Sequence, residues 1–396
     1  MTHFIGGNQL KLLRNGTEYF PALEFAIQSA EHEIYLQTYI YQADDVGIRI
    51  GNMLKQAALR GVMVNVLLDG FGSKNLPKSF MNELSIAGVQ IMFYRPKISP
   101  WTLKKRRLRR LHHKLVVIDG KIGFIGGINI IDDFDISIHT PNNVPPRIDY
   151  AVRIEGNLLP AMVLTVHKLW RRISWAHLRA ANTSRMETTK HNRPQNIKSQ
   201  VISKDTKAAL VFRDNMLHRR DIEEAYLTEI AQAKSEIIIA NAYFVPGQRF
   251  RQALLEAAKR GVNVKLLLQG RMEYFLMFAT HAFYSEFLKN GIEIYEYRKS
   301  FMHSKVAVID SHWATVGSSN IDPFSLFLAR EANLLVKDDA FATELRVDLL
   351  AAIQAGANQI SPQKWAKINI MKRFTSWIAY GLVRWFLGLI GHSNEQ

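Results

Sequence analysis

The chain has 396 residues, of which 47% are hydrophobic and 22% are charged, a composition that excludes an intrinsically disordered protein and a length that suits two ordinary domains. It has no cysteine, which excludes disulfides, thiolate metal ligands and cysteine nucleophiles, and which suits a cytoplasmic location. The formal charge of +16 indicates a polyanionic partner, either nucleic acid or an anionic membrane surface.

The first part of the chain alternates predicted strands and helices. Nearly continuous apolar, β-rich runs begin at Glu33 (EIYLQTYI), Val64 (VNVLL) and Val89 (VQIMFY), as in strands buried on both faces of a sheet. Between the first two, GIRIGNMLKQAALRG (47–61) has helical spacing and ends at a glycine, a common helix stop. The N-terminal residues show no apolar secretion signal.

A strongly basic run follows the third predicted strand. Residues 95–114 contain no acidic side chain. With Trp101 and two leucines nearby, the run indicates a contact with an anionic membrane surface, and a solvated loop is the alternative. The cations that lie closest together are Lys104, Lys105, Arg106, Arg107, Arg109 and Arg110.

The chain then contains one motif twice. HHKLVVIDGKIGFIGGIN begins at His112 and HSKVAVIDSHWATVGSSN begins at His303; both read His-x-Lys, four residues, Asp, six residues, Gly, Gly or Ser, any residue, Asn. The flanks repeat too, since EIIIANAYF from Glu236, VKLLL and IEIYEY parallel the first three strands. We therefore predict an α/β protein with two duplicated α/β/α halves packed around a shared active site.

Each motif predicts a β-hairpin whose open end carries polar side chains. In the first copy a two-residue turn at Asp119-Gly120 pairs Ile118 with Lys121 and places His112 opposite Gly127. A turn at Asp310-Ser311 acts in the same way in the second copy. The groups expected together are His112, Lys114, Gly127 and Asn129 from the first hairpin and His303, Lys305, Ser318 and Asn320 from the second.

The aspartates of the motif are expected at the other end of the hairpins. Seven extended residues span about 23 Å, and an odd offset turns the side chain to the opposite face. Asp119 and Asp310 are therefore expected to act in the turn or in packing. Asp149 in RIDYAVRIEG and Glu331 in LAREANLLV are the carboxylates predicted to orient the imidazoles, and the alternative is a surface carboxylate at a strand start.

Two histidines, two lysines and two asparagines at one place indicate phosphodiester chemistry. The ammonium groups neutralise phosphoryl oxygens, one neutral imidazole attacks phosphorus, and the other, protonated, donates to the leaving alkoxide. A phosphohistidine forms, and an alcohol or water then attacks it. No Asp/Glu cluster and no His-x-x-x-His spacing suggests a catalytic metal, and no cofactor is expected.

The end of the chain differs from the repeated halves. Its apolar run from Phe374 to Gly391 contains Arg384 and is too short and too charged for a spanning helix. It fits an amphipathic segment in the membrane interface with Trp365, Trp377 and Trp385 as anchors, and a helix packed on the protein's own core is the alternative. The predicted segments are a first half at 1–183, a polar linker at 184–205, a second half at 206–362 and a membrane-associating tail at 363–396.

The double motif resembles the HKD signature of the phospholipase D superfamily, from about residue 8 to residue 355. Within that superfamily the chain resembles bacterial cardiolipin synthases of the B type. The strings that carry this resemblance are LLDGFGS at Leu67, FIGGIN at Phe124, RIDYAVRIEG at Arg147, ANAYFVPG at Ala240 and HWATVGSSNIDPFSL at His312.

The resemblance implies transfer of a phosphatidyl group from one phospholipid to the hydroxyl of another, as when two phosphatidylglycerols give cardiolipin and glycerol. Phosphatidylethanolamine is an alternative donor. The resemblance also implies His112 as nucleophile and His303 as acid and then base, with reversed roles open, and it counts Asp119 and Asp310 in the catalytic motif. The expected place is the cytoplasmic face of the bacterial inner membrane, held peripherally and with no nucleic-acid partner. The oligomeric state is left open.

Two other functions fit parts of the sequence. A phospholipase D-type hydrolase or metal-independent nuclease of the same superfamily would use the basic run to bind phosphates, but it has no use for the apolar tail. A non-enzymatic tether would use the charge alone. Intact motifs in both halves argue against a tether.

Overall fold

The computed structural model describes residues 2–96, 109–134, 146–180, 206–213, 218, 220–271, 279–322 and 329–367 and the single positions 378 and 381, without the side chains of 177–180, 364 and 366. Three predictions lie wholly or mainly outside these residues. They are the linker at 184–205, the cluster of Lys104, Lys105, Arg106 and Arg107, and the tail beyond 367. The segment boundaries stay predictions.

The first half contains eight described strands and four described helices. The strands are β1 (Ile5–Arg14), β2 (Glu33–Thr38), β3 (Met63–Asp69), β4 (Gln90–Tyr94), β5 (Arg110–Leu111), β6 (Lys114–Ile118), β7 (Ile122–Gly126) and β8 (Tyr150–Gly156). The helices are α1 (Asn15–Gln28), α2 (Asp45–Leu59), α3 (Lys78–Ile86) and α4 (Leu159–Ala180).

The second half repeats this order. Its strands are β9 (Thr206–Arg213), β10 (Glu236–Asn241), β11 (Asn263–Gln269), β12 (Glu293–Tyr297), β13 (Lys305–Ile309), β14 (Trp313–Gly317), β15 (Ala329–Lys337) and β16 (Ala357–Gln359). Its helices are α5 (Asp221–Gln232), α6 (Gln248–Lys259), a 3₁₀ turn (His281–Phe283), α7 (Tyr284–Lys289), α8 (Asp339–Gly356) and α9 (Pro362–Ala366).

The helices begin and end where the local sequence allows. Asp44 caps α2 by accepting a hydrogen bond from the backbone N–H of Gly47 at 2.8 Å, and Asp338 caps α8 in the same way. Gly61 follows α2 with φ of +91°, and Gly261 follows α6 with φ of +90°. These left-handed positions favour glycine, so the predicted helix stops are confirmed.

One continuous sheet joins the two halves. Its strand order is β16-β12-β11-β10-β13-β14-β15-β9-β1-β8-β7-β6-β2-β3-β4, with β5 paired separately to β15. The order is symmetric about the antiparallel contact of β1 with β9, where Ile5 pairs with Ala208 and Asn8 with Thr206. β1 and β9 precede the first elements that the sequence predicted in each half, and they form the junction between the halves.

Helices cover both faces of this sheet. A core shared by both halves lies between the sheet and helices α4 and α8, with Met162 and Val166 from α4 and Leu345 and Leu349 from α8. Two further cores lie on the other face, one under α1–α3 and one under α5–α7. The predicted duplicated α/β/α architecture is therefore confirmed.

The hairpin loops are one residue longer than predicted. In the first copy Ile118 pairs with Ile122 instead of Lys121, and the second copy has the same extra residue. Asp119 has a φ of 52°, and its carboxylate accepts three backbone N–H groups from residues 31–33 at 2.8 Å. These bonds hold the loop against the junction of α1 with β2. The predicted pairings of His112 with Gly127 and of His303 with Ser318 are therefore wrong, because the ladder is shifted by one residue and neither histidine lies within it.

The start of the C-terminal segment packs on the second half. Trp365 in α9 is 8% exposed, and its Nε1 donates a hydrogen bond to Ser285 Oγ at 3.1 Å. Its ring centroid lies 4.8 Å from that of Tyr284 and 5.3 Å from that of His281. The predicted role of Trp365 as a membrane anchor is therefore wrong, because its ring and N–H are used within the protein. The other two predicted anchors lie outside the described residues.

Candidate active site

The motif histidines are positioned by main chain from the opposite half. β5 runs parallel to β15, and the backbone N–H of His112 donates to Arg330 O at 3.0 Å. The backbone N–H of His303 donates to Ile148 O at 2.8 Å. The two histidines therefore lie where the halves join.

Each imidazole also contacts a carboxylate from the opposite half. His112 Nδ1 lies 3.0 Å from the Glu331 carboxylate, and His303 Nδ1 lies 2.7 Å from Asp149 Oδ2. The two carboxylates singled out in the sequence thus meet the two histidines in crossed pairs. A carboxylate at Nδ1 favours the tautomer that carries its proton there, which leaves Nε2 for chemistry.

Both carboxylates are buried, and each accepts a further hydrogen bond besides its contact with the imidazole. Ser318 Oγ donates to Glu331 Oε2 at 2.5 Å, and the Tyr150 backbone N–H donates to Asp149 Oδ1 at 2.9 Å. Gly127 is the counterpart of Ser318, and a Cβ there would lie 2.2 Å from Asp149 Oδ1. Gly127 and Ser318 lie beside the carboxylates, where the glycine leaves space for Asp149 and the serine donates a hydrogen bond to Glu331. The contact with substrate that we expect of both residues from the motif stays a prediction.

Two lysines lie beneath the histidines. Lys114 and Lys305 are buried, and each Nζ donates to the carbonyl oxygen of the histidine two residues earlier. Burial and repulsion from Lys305 lower the pKa of Lys114 to about 7. Burial lowers the pKa of Lys305 to about 8, although Asp149 lies 3.9 Å away. Because the two ammonium groups repel each other, an anion placed between them would be stabilised by both.

Both imidazoles favour the neutral form in this environment. Burial, with the charge of Lys305, lowers the pKa of His303 to about 3 in spite of Asp149. Burial also lowers the pKa of His112, against the opposing effect of Glu331. Burial would raise the pKa of Asp149, but Lys305 and His303 outweigh it and lower that pKa. A neutral imidazole is the form that attacks phosphorus.

The motif asparagines lie beside the ends of the central strands. Asn129 Oδ1 accepts a hydrogen bond from the backbone N–H of Ile40 at 3.1 Å. This bond fixes which end of the amide is the oxygen and leaves the NH₂ group on the opposite side as a donor. Asn320 is buried at the corresponding position of the second half. An amide N–H aimed at a phosphoryl oxygen is the contribution that these positions allow.

The motif aspartates lie at the far turns. Asp119 accepts backbone N–H groups from residues 31–33, and Asp310 accepts those of residues 234–236. Burial would raise the pKa of Asp310, but these N–H groups outweigh it and lower that pKa. The position fits the role in the turn expected from strand geometry. It does not fit the catalytic role that membership of the motif implied.

Three further side chains surround the site and were not singled out in the sequence. The ring centroid of Tyr39 lies 4.8 Å from that of His112, and the Phe301 ring stacks on His303 at 6.1 Å. Buried Asp69 accepts the backbone N–H of Leu111 at 2.8 Å, directly before the first histidine. Tyr39 and Asp69 stand at or just after the ends of the parallel strands β2 and β3. Ligands bind at such ends in α/β sheets, and this was the signal that could have found them.

The described ranges contain neither a metal-binding cluster nor a membrane-spanning helix. No group of three or more His, Asp or Glu side chains within them is arranged to hold a metal ion. No helix in the same part of the chain is both long enough and apolar enough to cross a membrane.

Comparison with known proteins gives consistent similarities. The family described as "Cardiolipin synthase, PLD-like domain" matches residues 23–133 and 226–352. The chain is 39% identical to Cardiolipin synthase B of Escherichia coli (strain K12) over 97% of this chain and 90% of that protein. It is 31% identical to Cardiolipin synthase 1 of Bacillus cereus over 92% of this chain and 70% of that protein.

A solved structure supports the fold. The crystal structure of phosphatidylserine synthase from Haemophilus influenzae Rd KW20 matches with a TM-score of 0.70, over 97% of this chain and 95% of that one. The sequence identity is 15%, so this similarity concerns the architecture.

Proposed function

The chain belongs to the cardiolipin synthase family of phospholipase D-like proteins, and from that premise we propose that it is a phosphatidyltransferase that makes cardiolipin and glycerol from two phosphatidylglycerols. The observation that carries this proposal is the pair of carboxylate-held imidazoles above two buried lysines. This is the set of groups that phosphodiester exchange needs: a nucleophile, a proton donor and fixed positive charge.

The first step transfers the phosphatidyl group to the protein. Nε2 of His112 attacks phosphorus of the donor, and a P–N bond forms as the bond to the glycerol headgroup oxygen breaks. His303 gives its Nε2 proton to that oxygen, so glycerol leaves as a neutral alcohol. Lys114 and Lys305 neutralise the charge on the phosphoryl oxygens, and Asn129 and Asn320 donate hydrogen bonds to them.

The second step transfers the group to the acceptor lipid. His303 removes the proton from the headgroup hydroxyl of a second phosphatidylglycerol, whose oxygen attacks phosphorus. The P–N bond to His112 breaks, and the imidazole becomes neutral again. Asp149 stabilises the His303 imidazolium that is present before the first step and forms again in the second, and Glu331 supports His112 while it carries phosphorus.

Donor binding favours the protonated form of His303 that the first step needs, and the proton is taken up from solvent. In the free site the pKa of His303 is about 3, so its imidazole is neutral near pH 7. A bound phosphodiester anion offsets the repulsion from the lysines and raises the pKa of the imidazole that faces the leaving group. Donor binding thereby converts one of two neutral histidines into the acid.

The place of reaction is proposed to be the cytoplasmic face of the inner membrane, with peripheral attachment. The basic run and the tail after Trp365 supply the contacts with anionic lipid, and Arg109 and Arg110 are the described members of that run. Phosphatidylglycerol is the proposed donor and acceptor, with phosphatidylethanolamine as an alternative donor.

A product assay tests the proposal. Purified protein is incubated with phosphatidylglycerol vesicles, and lipids and glycerol are quantified by mass spectrometry. We expect cardiolipin and glycerol in equal amounts, with loss of both in His112→Ala and His303→Ala. His32→Ala, at a histidine on the protein surface, is the matched control and should act like the parent. Phosphatidic acid without cardiolipin would replace the proposal by hydrolysis, and absence of any lipid product would refute both.

A further inference from the structure

An exposed phenylalanine lies in a loop of the first half that packs beside the candidate active site. Phe71 follows β3 and is 42% exposed. Its loop packs directly on Tyr39, because Ser73 Oγ donates to Tyr39 O at 3.1 Å and a Cβ on Gly72 would lie 2.2 Å from that oxygen. The Tyr39 ring in turn lies 4.8 Å from the His112 imidazole. One layer of side chain therefore separates the Phe71 loop from the reacting group.

Two cations flank the Phe71 ring. Lys74 Nζ lies 5.1 Å from the ring centroid, and the Arg110 guanidinium carbon lies 5.3 Å from it. Asp69 fixes this arrangement, since its carboxylate accepts the backbone N–H groups of Phe71 and Leu111, both at 2.8 Å. The loop and the strand that leads into His112 are thus held together as one surface.

Both described ends of the basic run meet this loop. The backbone N–H of Gly70 donates to Tyr94 O at 2.9 Å, and a Cβ on Gly70 would lie 2.6 Å from Arg95 O. At the other end Arg110 lies against Phe71. Arg95 and Arg110, on either side of residues 97–108 in the chain, therefore both lie beside the loop that carries the exposed ring.

We propose that Phe71, flanked by Lys74 and Arg110, inserts into the headgroup region of an anionic phospholipid bilayer and places the His112 opening at the level of the lipid phosphates. An aromatic ring with an apolar body favours the membrane interface, and each neighbouring cation adds attraction to an anionic surface. The proposal rests on the proposed function for its choice of a lipid partner. Binding itself needs no turnover, so the two can be tested separately.

Vesicle binding tests the anchor. Co-sedimentation with vesicles of phosphatidylglycerol and phosphatidylcholine is compared for the parent protein, Phe71→Ala, Phe71→Trp and Phe25→Ala. Phe25 is 67% exposed on α1 and serves as the matched control. We expect Phe71→Ala to weaken partitioning about fivefold, Phe71→Trp to keep it and Phe25→Ala to leave it unchanged. Combined Lys74→Gln and Arg110→Gln should weaken it by an order of magnitude, with reduced dependence on phosphatidylglycerol content.

A second measurement separates the anchor from a substrate contact. On a short-chain phosphatidylglycerol below its micelle concentration, Phe71→Ala should turn over like the parent protein. The proposal is overturned if activity on this monomeric lipid falls while vesicle binding is unchanged. It is also overturned if Phe71→Ala weakens binding of a single-stranded oligonucleotide and leaves vesicle binding intact. If no lipid product forms at all but Phe71→Ala still loses vesicle binding, the proposed function fails and the anchor stands.

Discussion

Asp149→Asn tests whether the crossed pairing operates in catalysis. The substitution keeps the size of the side chain and its hydrogen bond from the Tyr150 backbone N–H. It removes the charge that holds a proton on His303 Nδ1. The new NH₂ group donates to Nδ1 instead, so the proton moves to Nε2, where the second step requires a base.

Two contributions set the expected loss of rate. A hydrogen bond at 2.7 Å between an imidazolium and a carboxylate contributes about 1.5–3 kcal/mol, which is roughly one to two decades at 1.36 kcal/mol per decade. The wrong tautomer increases the loss further, because the same change beneath a serine-protease histidine, which includes both effects, costs about 10⁴ in rate. We therefore expect cardiolipin formation to slow by about 10³–10⁴-fold.

The assay measures phosphoenzyme as well as product. Labelled phosphatidylglycerol is mixed with each variant, and acid-labile label on the protein is followed over time. One histidine carries phosphorus and the other does not, so His112→Ala and His303→Ala should differ in the label that stays on the protein. The variant that lacks the phosphorus-carrying histidine should show no label, and the other variant should retain it. Asp149→Asn should share the pattern of His303→Ala, and Glu331→Gln that of His112→Ala, whichever histidine is the nucleophile. If Asp149→Asn behaves like His112→Ala instead, the crossed pairing has no catalytic role and the reasoning is refuted.

Three further predictions follow from other contacts of the site. Ser318→Ala removes the hydroxyl that donates a hydrogen bond to Glu331, and it should lower kcat about tenfold with little change in KM. An unchanged kcat in steady-state assays would contradict this. Asp119→Ala should lower the free energy of unfolding by about 1–3 kcal/mol in urea titrations while activity per folded molecule is kept; lost activity at unchanged stability would count against a structural role. Because the pKa values of Lys114 and Lys305 are about 7 and 8, binding of inorganic phosphate at pH 8–9 should take up protons and should weaken as the pH rises. Titration calorimetry in two buffers checks this, and a heat that does not depend on the buffer would contradict it.

The chemistry of the site could be predicted because its pattern is local and occurs twice. His112 and Lys114 stand two positions apart, with Lys114 opening β6, and repetition of the spacing separates them from ordinary polar residues. The crossed pairing could not be predicted from the same pattern. In each half the carboxylate is close to its own hairpin, because Asp149 directly precedes β8, which lies beside β7, and Glu331 lies in β15, beside β14. Pairing within a half therefore fits the sequence equally well. The contacts that decide it, β1 with β9 and β5 with β15, join residues distant in the chain.

The two errors differ in their physical origin. The local turn at Asp119-Gly120 forms, because the backbone N–H of Lys121 donates to Ile118 O at 2.9 Å, but the strand ladder begins one residue further on, with Ile122 opposite Ile118. Trp365 lies in a segment whose composition is typical of a membrane interface, yet its ring packs on Tyr284 and its N–H donates to Ser285. There, tertiary contacts that no local pattern records outweigh the preference that the composition indicates.

The crossed pairs also have a consequence for how a chain of two repeated halves can evolve. The members of the His112–Glu331 pair are 219 positions apart, and neither half encodes a complete imidazole–carboxylate pair. Truncation of either half therefore removes both pairs at once, and no half-active product exists for selection to retain. One half alone would regain the arrangement only beside a second copy that supplies the missing carboxylate. Fusion of two such copies into one gene would fix that partnership, after which each half need keep only its own side of the paired contacts and its own core.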